Sequence, residues 1–482
     1  MLDLAWPYAL YAALGLLVVV VLVRAVRRHL DESEVRALER RFERTLARFK
    51  VEIDRFKLAR KRAVRDLLNY DHAIWTQVEQ LADSPRHAEK LRVDVHRYVH
   101  EIVPFFTPLS YYTVGQRLAR WLLSALYRVD FRPEDVARIK QQTSSKPTSV
   151  VYVMNHRSNA DYVIAAYVLA DRIALSFAVG EWARVWPLEY VFKSFGSYFL
   201  RRGFRDPLYH TVLRRYVQLI TKNAVTQALF PEGGLSRDGR FRAPKIGLLD
   251  NIIGSKADRT FERELMFVPV AINYDRVLED RALTNELGNE SGPAPKRRKR
   301  DMARQVIDIF FGNVAKLRRG QLRRHGIAAV RFGEPISFDA WHAGRGVDIF
   351  NLPKEARRGH IAELTETLMA RIAALMPVTP LCLVAKALVD GPPMSRVALQ
   401  DRVDALAVGL RERGVEIVDF ERGTAWMVDG ALERFRFRRL VAADNEGILA
   451  VVAGSEAILR YYANSFVHFE DGVLPHVEGP RT

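Results

Sequence analysis

His156 and Asp161 are the residues of this chain best suited to chemistry. They lie in the string Asn155-His156-Arg157-Ser158-Asn159-Ala160-Asp161, after the apolar run Val150 to Met154 and before an apolar helix pattern, Tyr162, Val163, Ala166 and Tyr167. A carboxylate bound to one imidazole nitrogen leaves the other able to take a proton from a hydroxyl nucleophile. Spacing limits how the two can meet. On one continuous helix five residues turn through about 500°, which leaves the side chains about 140° apart. They meet only if His156 lies in the turn, with Ser158 or Asn159 as N-cap and Asp161 in the first helical turn. An isolated pair of this kind is common by chance, so its company decides.

Three blocks follow it: Gly196-Ser197-Tyr198-Phe199-Leu200-Arg201-Arg202, then Phe230-Pro231-Glu232-Gly233-Gly234-Leu235-Ser236-Arg237, then Val268-Pro269-Val270-Ala271-Ile272-Asn273-Tyr274. A phosphate dianion calls for convergent cationic donors, which Arg201 and Arg202, after a short strand, can supply with Arg237 and Lys245 nearby. Gly233 and Gly234 permit a tight turn and close backbone approach.

In their order and near these spacings, the four blocks resemble the glycerolipid acyltransferase superfamily. Within it the chain is most similar to the glycerol-3-phosphate 1-O-acyltransferases and the related dihydroxyacetone-phosphate acyltransferases. The likeness runs from about Val150 to Phe332-Gly333-Glu334-Pro335-Ile336 and includes Pro244-Lys245-Ile246-Gly247. A long C-terminal extension adds to it, because the short lysophosphatidate acyltransferases lack one. The resemblance implies that His156 is the general base and Asp161 its orienting partner, with Arg201 or Arg202, Glu232, Gly233 and Ser236 at the glycerol-phosphate site. It also implies transfer of a fatty acyl group from acyl-CoA or acyl-carrier protein to the sn-1 hydroxyl of glycerol 3-phosphate, the first step of phospholipid synthesis. Neither a metal nor a cofactor beyond the thioester co-substrate is expected. One position departs from the family: its third block commonly carries an arginine just before the serine, where this chain has Leu235. That leaves dihydroxyacetone phosphate or lysophosphatidate open as acceptor, or Arg237 as a compensating cation. A catalytically inactive membrane adaptor is the non-enzymatic alternative, and intact His156 and Asp161 speak against it.

The elements that must position these residues point to an α/β architecture. At 482 residues, 49% of them hydrophobic, the chain is too long for one typical core and too apolar for disorder. The expected organisation is a transmembrane anchor over 1–28, a helical region over 29–130, a central α/β domain with a mixed sheet over 131–350, and a smaller C-terminal α+β region over 351–482. Buried strands are read at Val150 to Met154, Thr226 to Phe230, Phe267 to Ile272 and Ile327 to Phe332, with helical patterns such as Tyr209 to Thr221 between them. A second helical stretch is read over Val103 to Tyr127, and its aromatic residues suit core packing better than a membrane interface.

The uncharged run Leu4 to Val23 matches the roughly 30 Å hydrocarbon thickness at about 1.5 Å per residue. Arg24, Arg27 and Arg28 follow it, so the positive-inside rule puts the rest of a single-pass protein in the cytoplasm, at the inner or plasma membrane if bacterial. The net charge of +17 favours anionic lipid, phosphate-bearing substrates or an acidic carrier over nucleic acid. The basic stretch Gly288 to Arg300 reads as an exposed loop. Cys382 is the only cysteine, which excludes an internal disulfide and a cysteine-rich metal site. The apolar stripe from Val35 to Phe56, in a helical pattern over 31–68, could be a coiled-coil seam joining a homodimer, or could pack on the next domain.

Overall fold

The computed structural model describes residues 61–105, 116–144, 146–169, 175–180, 183–184, 188–288 and 324–476. The run from Leu4 to Val23, the stripe up to residue 60 and the basic loop beyond residue 288 lie outside the described residues. Among those described, no helix is long and apolar enough to cross a membrane.

The centre is an eight-stranded mixed sheet. Its strands are β1 (Tyr127–Asp130), β2 (Thr148–Met154), β3 (Ser176–Gly180), β4 (Tyr198–Leu200), β5 (Gln227–Leu229), β6 (Glu264–Tyr274), β7 (Gly326–Phe332) and β8 (Ile336–Ser337). Their order is β1-β7-β6-β2-β5-β3-β4, with β8 pairing β6 off this path. The pairs β2–β5, β2–β6, β3–β5, β3–β4 and β1–β7 are parallel, while β6 is antiparallel to β7 and to β8. β2 is central and covered on both faces, which is why it reads as an unbroken apolar run rather than an alternation. In the β2–β6 register Met154 faces Val270, so β6 runs four residues (274 − 270) beyond the end of β2, as far as Tyr274.

The helix Pro207–Lys222 links β4 to β5. Asp206 caps it by accepting from the amides of Leu208 and Tyr209, and Pro207 occupies the first turn, where a missing N–H costs nothing. Helices Lys61–Asn69, His72–Leu81 and Pro85–Ile102 pack on it and share one apolar core with β2, β6 and the helix Lys354–Ala374. In the stretch read as one helix over Val103 to Tyr127, the helix Pro85–Ile102 instead ends before Val103-Pro104, and a separate one spans Gln116–Leu126. A proline biases the residue before it away from the helical region, so Val103 is extended. Residues 106–115 lie outside those described.

Beyond the sheet, the helix Pro380–Val389 is almost wholly buried, and Arg396–Glu412, Thr424–Phe437 and Glu456–Ala463 pack around it. β9 (Val441–Ala443) and β10 (Leu449–Val451) add an antiparallel hairpin. The core of this C-terminal part is continuous with that of the sheet: Tyr152, Met154 and Phe332 belong to the same apolar cluster as Leu383, Val428 and Tyr461.

Candidate active site

His156 sits two residues past β2, in a non-helical turn that delivers Asp161 into the first turn of the helix Ala160–Leu169. Both side chains are buried, and Nδ1 of His156 lies 2.9 Å from Oδ2 of Asp161. The same oxygen accepts from the amides of Arg157 at 2.8 Å and Ser158 at 3.1 Å, while Oδ1 accepts from the hydroxyl of Tyr274. The carboxylate is thus held by three donors besides the imidazole, and Nε2 is the nitrogen left to act as a base. Phe230 stacks on the ring at 4.0 Å, with Tyr162 at its edge. Burial lowers the His156 pKa against the opposing hydrogen bond to Asp161, and the charges of Arg202 and Arg242 push it lower still. A neutral imidazole at neutral pH is the state a base requires.

The turn itself is pinned from outside. The Asn155 amide continues the β2–β6 ladder with side-chain atoms, donating to the carbonyl of Ile272 at 2.9 Å and accepting from its N–H at 2.8 Å. Glu279 accepts from the Ser158 hydroxyl at 2.8 Å and from the Asn159 amide, and burial pushes its pKa up to about 7. Glu232 is likewise buried and pushed up to about 7. Its Oε1 accepts from the His156 amide and its Oε2 from the Arg242 amide, each at 2.8 Å. Glu232 therefore ties the histidine turn to the segment after β5 through backbone amides.

Gly233 and Gly234 form the floor of a basic cluster. Gly233 has φ +63, and a β-carbon there would lie 3.1 Å from Cδ of Lys245. A β-carbon on Gly234 would lie 2.6 Å from Nη1 of Arg242 and 3.6 Å from Nη1 of Arg202. Three cations thus converge on one glycine turn beside His156. Arg201 goes elsewhere: its guanidinium binds both oxygens of buried Glu101, at 2.7 and 2.6 Å, and lies over the Phe204 ring. Ser236 donates its hydroxyl to the Arg240 carbonyl at 2.6 Å and its amide to the His156 carbonyl at 3.0 Å, which binds two loops together. Arg237 pairs with Glu286 at 3.3 Å. Arg242, which the sequence reading missed, takes the place beside Leu235 instead, donating Nη1 to its carbonyl at 3.1 Å. The vacancy at Leu235 was the one signal that some other cation had to be sought. Tyr274 and Glu279 carried no local signal of their role.

The C-terminal part closes over this turn. Arg157 donates to the Ser465 carbonyl at 3.1 Å, and Asn464 donates to that of Asp238 at 2.9 Å. Among the described residues no cluster of histidine, cysteine and carboxylate side chains could hold a metal ion.

The buried His–Asp pair at the end of a central strand and the convergent cations on the glycine turn all lie within residues 136–273, which match the acyltransferase family. Residues 311–469 match the glycerol-3-phosphate acyltransferase C-terminal region. Glycerol-3-phosphate acyltransferase of Aeromonas hydrophila is 29% identical over 397 residues, which cover 79% of this chain and 46% of that protein. That of Shewanella pealeana is 27% identical over 442 residues, 87% of this chain and 51% of that protein. That of Shewanella frigidimarina is 32% identical over 263 residues, 54% of this chain and 30% of that protein. The chain is thus similar to glycerol-3-phosphate acyltransferases over most of its length, and it spans about half the length or less of these curated relatives.

Proposed function

We propose that this protein transfers a fatty acyl group from a thioester to the sn-1 hydroxyl of glycerol 3-phosphate. The observation that carries this reading is the convergence of Arg202, Arg242 and Lys245 beside the buried His156–Asp161 pair. Phosphate held by the cations brings an acceptor hydroxyl to Nε2 of His156. As that nitrogen takes the proton, the hydroxyl oxygen attacks the thioester carbonyl. Collapse of the tetrahedral adduct breaks the carbon–sulfur bond, and the imidazolium returns its proton to the leaving thiolate. Asp161 stabilises the imidazolium in between, so no acyl-enzyme is needed. In this reading Arg202, Arg242 and Lys245 bind phosphate, Gly233 lets them approach, and Glu232 and Ser236 shape the loop. Arg201 and Arg237 support it from outside.

The acyl donor in this reading is acyl-CoA or acyl-carrier protein, and the chain works at a membrane, anchored through Leu4 to Val23 with its catalytic part on the cytoplasmic side. The test is transfer of a radiolabelled acyl group by the purified full chain to glycerol 3-phosphate, dihydroxyacetone phosphate and lysophosphatidate, from either donor. Glycerol 3-phosphate should be the best acceptor, and His156→Ala should lower turnover by roughly 10² to 10⁴ while the protein stays folded. Preference for another acceptor would refute the substrate assignment; near-normal turnover in the variant would refute the base.

A further inference from the structure

At the end of β6 and the start of β7 lies a basic cavity, of about 300 Å³, which the acceptor site does not use. Arg276 follows β6, Arg324 precedes β7, and Arg434, Phe437 and Arg438 come from the end of the helix Thr424–Phe437. Arg438 is matched by Asp280 at 2.7 Å, and among the described residues Glu433 is the one carboxylate in the wall. Among the described residues, four arginines stand against Glu433, Asp280 and the buried Asp275 whose charge bears on Arg434, which leaves a surplus of one positive charge. The Nε of Arg276 is buried and has no hydrogen-bond partner. Removing such a donor from water without giving it an acceptor is unfavourable, and a bound anion would supply one. The volume stands at the lower end of the range for small-molecule sites, roughly 300 to 1,000 Å³. Phe437, itself well exposed, contributes a flat apolar face beside the charges.

Sheet order sets this cavity apart from the acceptor cations. Arg202, Arg242 and Lys245 follow β4 and β5, on one side of β2; Arg276 and Arg324 flank β6 and β7, on the other. Two strand spacings, about 10 Å of sheet, separate β7 from β2. Two substrates that meet at His156 can therefore carry their phosphates to opposite sides of it. We propose that this cavity binds a nucleoside phosphate, the carrier end of a coenzyme A thioester, with guanidinium groups on the phosphates and the base against Phe437. The assignment of the ligand as donor rests on the acyltransfer reading above.

The probe is adenosine 3′,5′-bisphosphate, titrated calorimetrically into the full chain in detergent. Arg276→Gln and Arg434→Gln should each weaken it at least tenfold, equal to about 1.4 kcal/mol, with glycerol 3-phosphate binding unchanged. Thermal unfolding checks that each variant folds, and Arg434, on the helix, serves if Arg276→Gln does not. Absence of binding by the unsubstituted chain, or equal affinity in the folded variants, would overturn the proposal. Flotation with phosphatidylglycerol vesicles separates the other source of phosphate: loss of vesicle binding in the variants with bisphosphate affinity intact would overturn the nucleotide in favour of a lipid headgroup. Arginine-dependent bisphosphate binding by a chain that transfers no acyl group would uphold this site while the acyltransfer reading fails.

Discussion

Removal of His156 from water sets how this site would respond to pH. The imidazole is buried against Phe230 and Tyr162, and its pKa falls below the usual value of 6.5 despite the hydrogen bond to Asp161. A base acts in its neutral form, so a lowered pKa extends the active range toward acid. kcat/KM for acyl transfer should stay level as pH falls through 6.5 and drop only below it; a midpoint at or above 6.5 would show that the imidazole is not desolvated in the working enzyme. The neighbouring arginines differ in what they touch. Arg242 faces the glycine turn, whereas Arg237 pairs with Glu286. Arg242→Ala should raise the acceptor KM by roughly tenfold or more, the loss of one charged hydrogen bond, with little change in the donor KM. Arg237→Ala should change both much less, and the reverse ranking in steady-state kinetics would return the compensating role to Arg237.

At the scale of elements, the site depends on loops that lock one another. The segment after β5 reaches the helix Glu456–Ala463 at Gly239, where φ is +88 and a β-carbon would stand 1.8 Å from the Tyr461 carbonyl oxygen. Backbone cannot yield there as a flexible side chain could. Gly239→Ala should therefore cost about 3 kcal/mol or more, while Gly203→Ala, at φ +69 in open space, should cost only about 1 kcal/mol. Thermal or denaturant unfolding of both variants checks this; equal costs would mean that the contact is not formed in solution. Much at this scale was legible beforehand. The apolar runs at Val150, Phe267 and Ile327 are strands within two or three residues of their expected limits, because strands covered on both faces leave continuous hydrophobic stretches. β3 was missed, since its apolar run, Phe177 to Val179, is only three residues long, and the helical stretch read from Val103 onward starts where a preceding helix ends, with Val103 held extended before Pro104.

At the scale of the molecule, membrane attachment divides into an apolar and an electrostatic part. In the proposed arrangement the run Leu4 to Val23 supplies the first, and the net charge of +17 the second. Deleting residues 1–23 should leave a folded protein that floats with anionic liposomes at low salt and is released at high salt, since only the screened component remains. Tight flotation at both salt concentrations would place the main apolar contact elsewhere, for example between Phe105 and Trp121. The C-terminal part is not peripheral to the site: Ser465 and Asn464 hold the loops of Arg157 and Asp238.

By itself the amino-acid sequence determined what depends on near neighbours in the chain. It placed His156 in a turn and Asp161 at a helix start, because no other local geometry lets residues five apart meet, and it put glycines where cations approach. Tertiary structure decided the rest. Arg201 and Arg202 are indistinguishable as letters, yet one binds Glu101 and the other faces Gly234, since successive residues leaving an extended strand diverge. Tyr274 reaches Asp161 only because β6 overruns β2 by four residues in a register set by burial of both strands. Arg242 comes to Leu235 through a loop held by Glu232, and Arg276 comes to Arg434 through packing between segments more than a hundred residues apart. Charge alone does not say where a long side chain ends; that is set by which carboxylates, carbonyls and rings the folded chain brings within its reach.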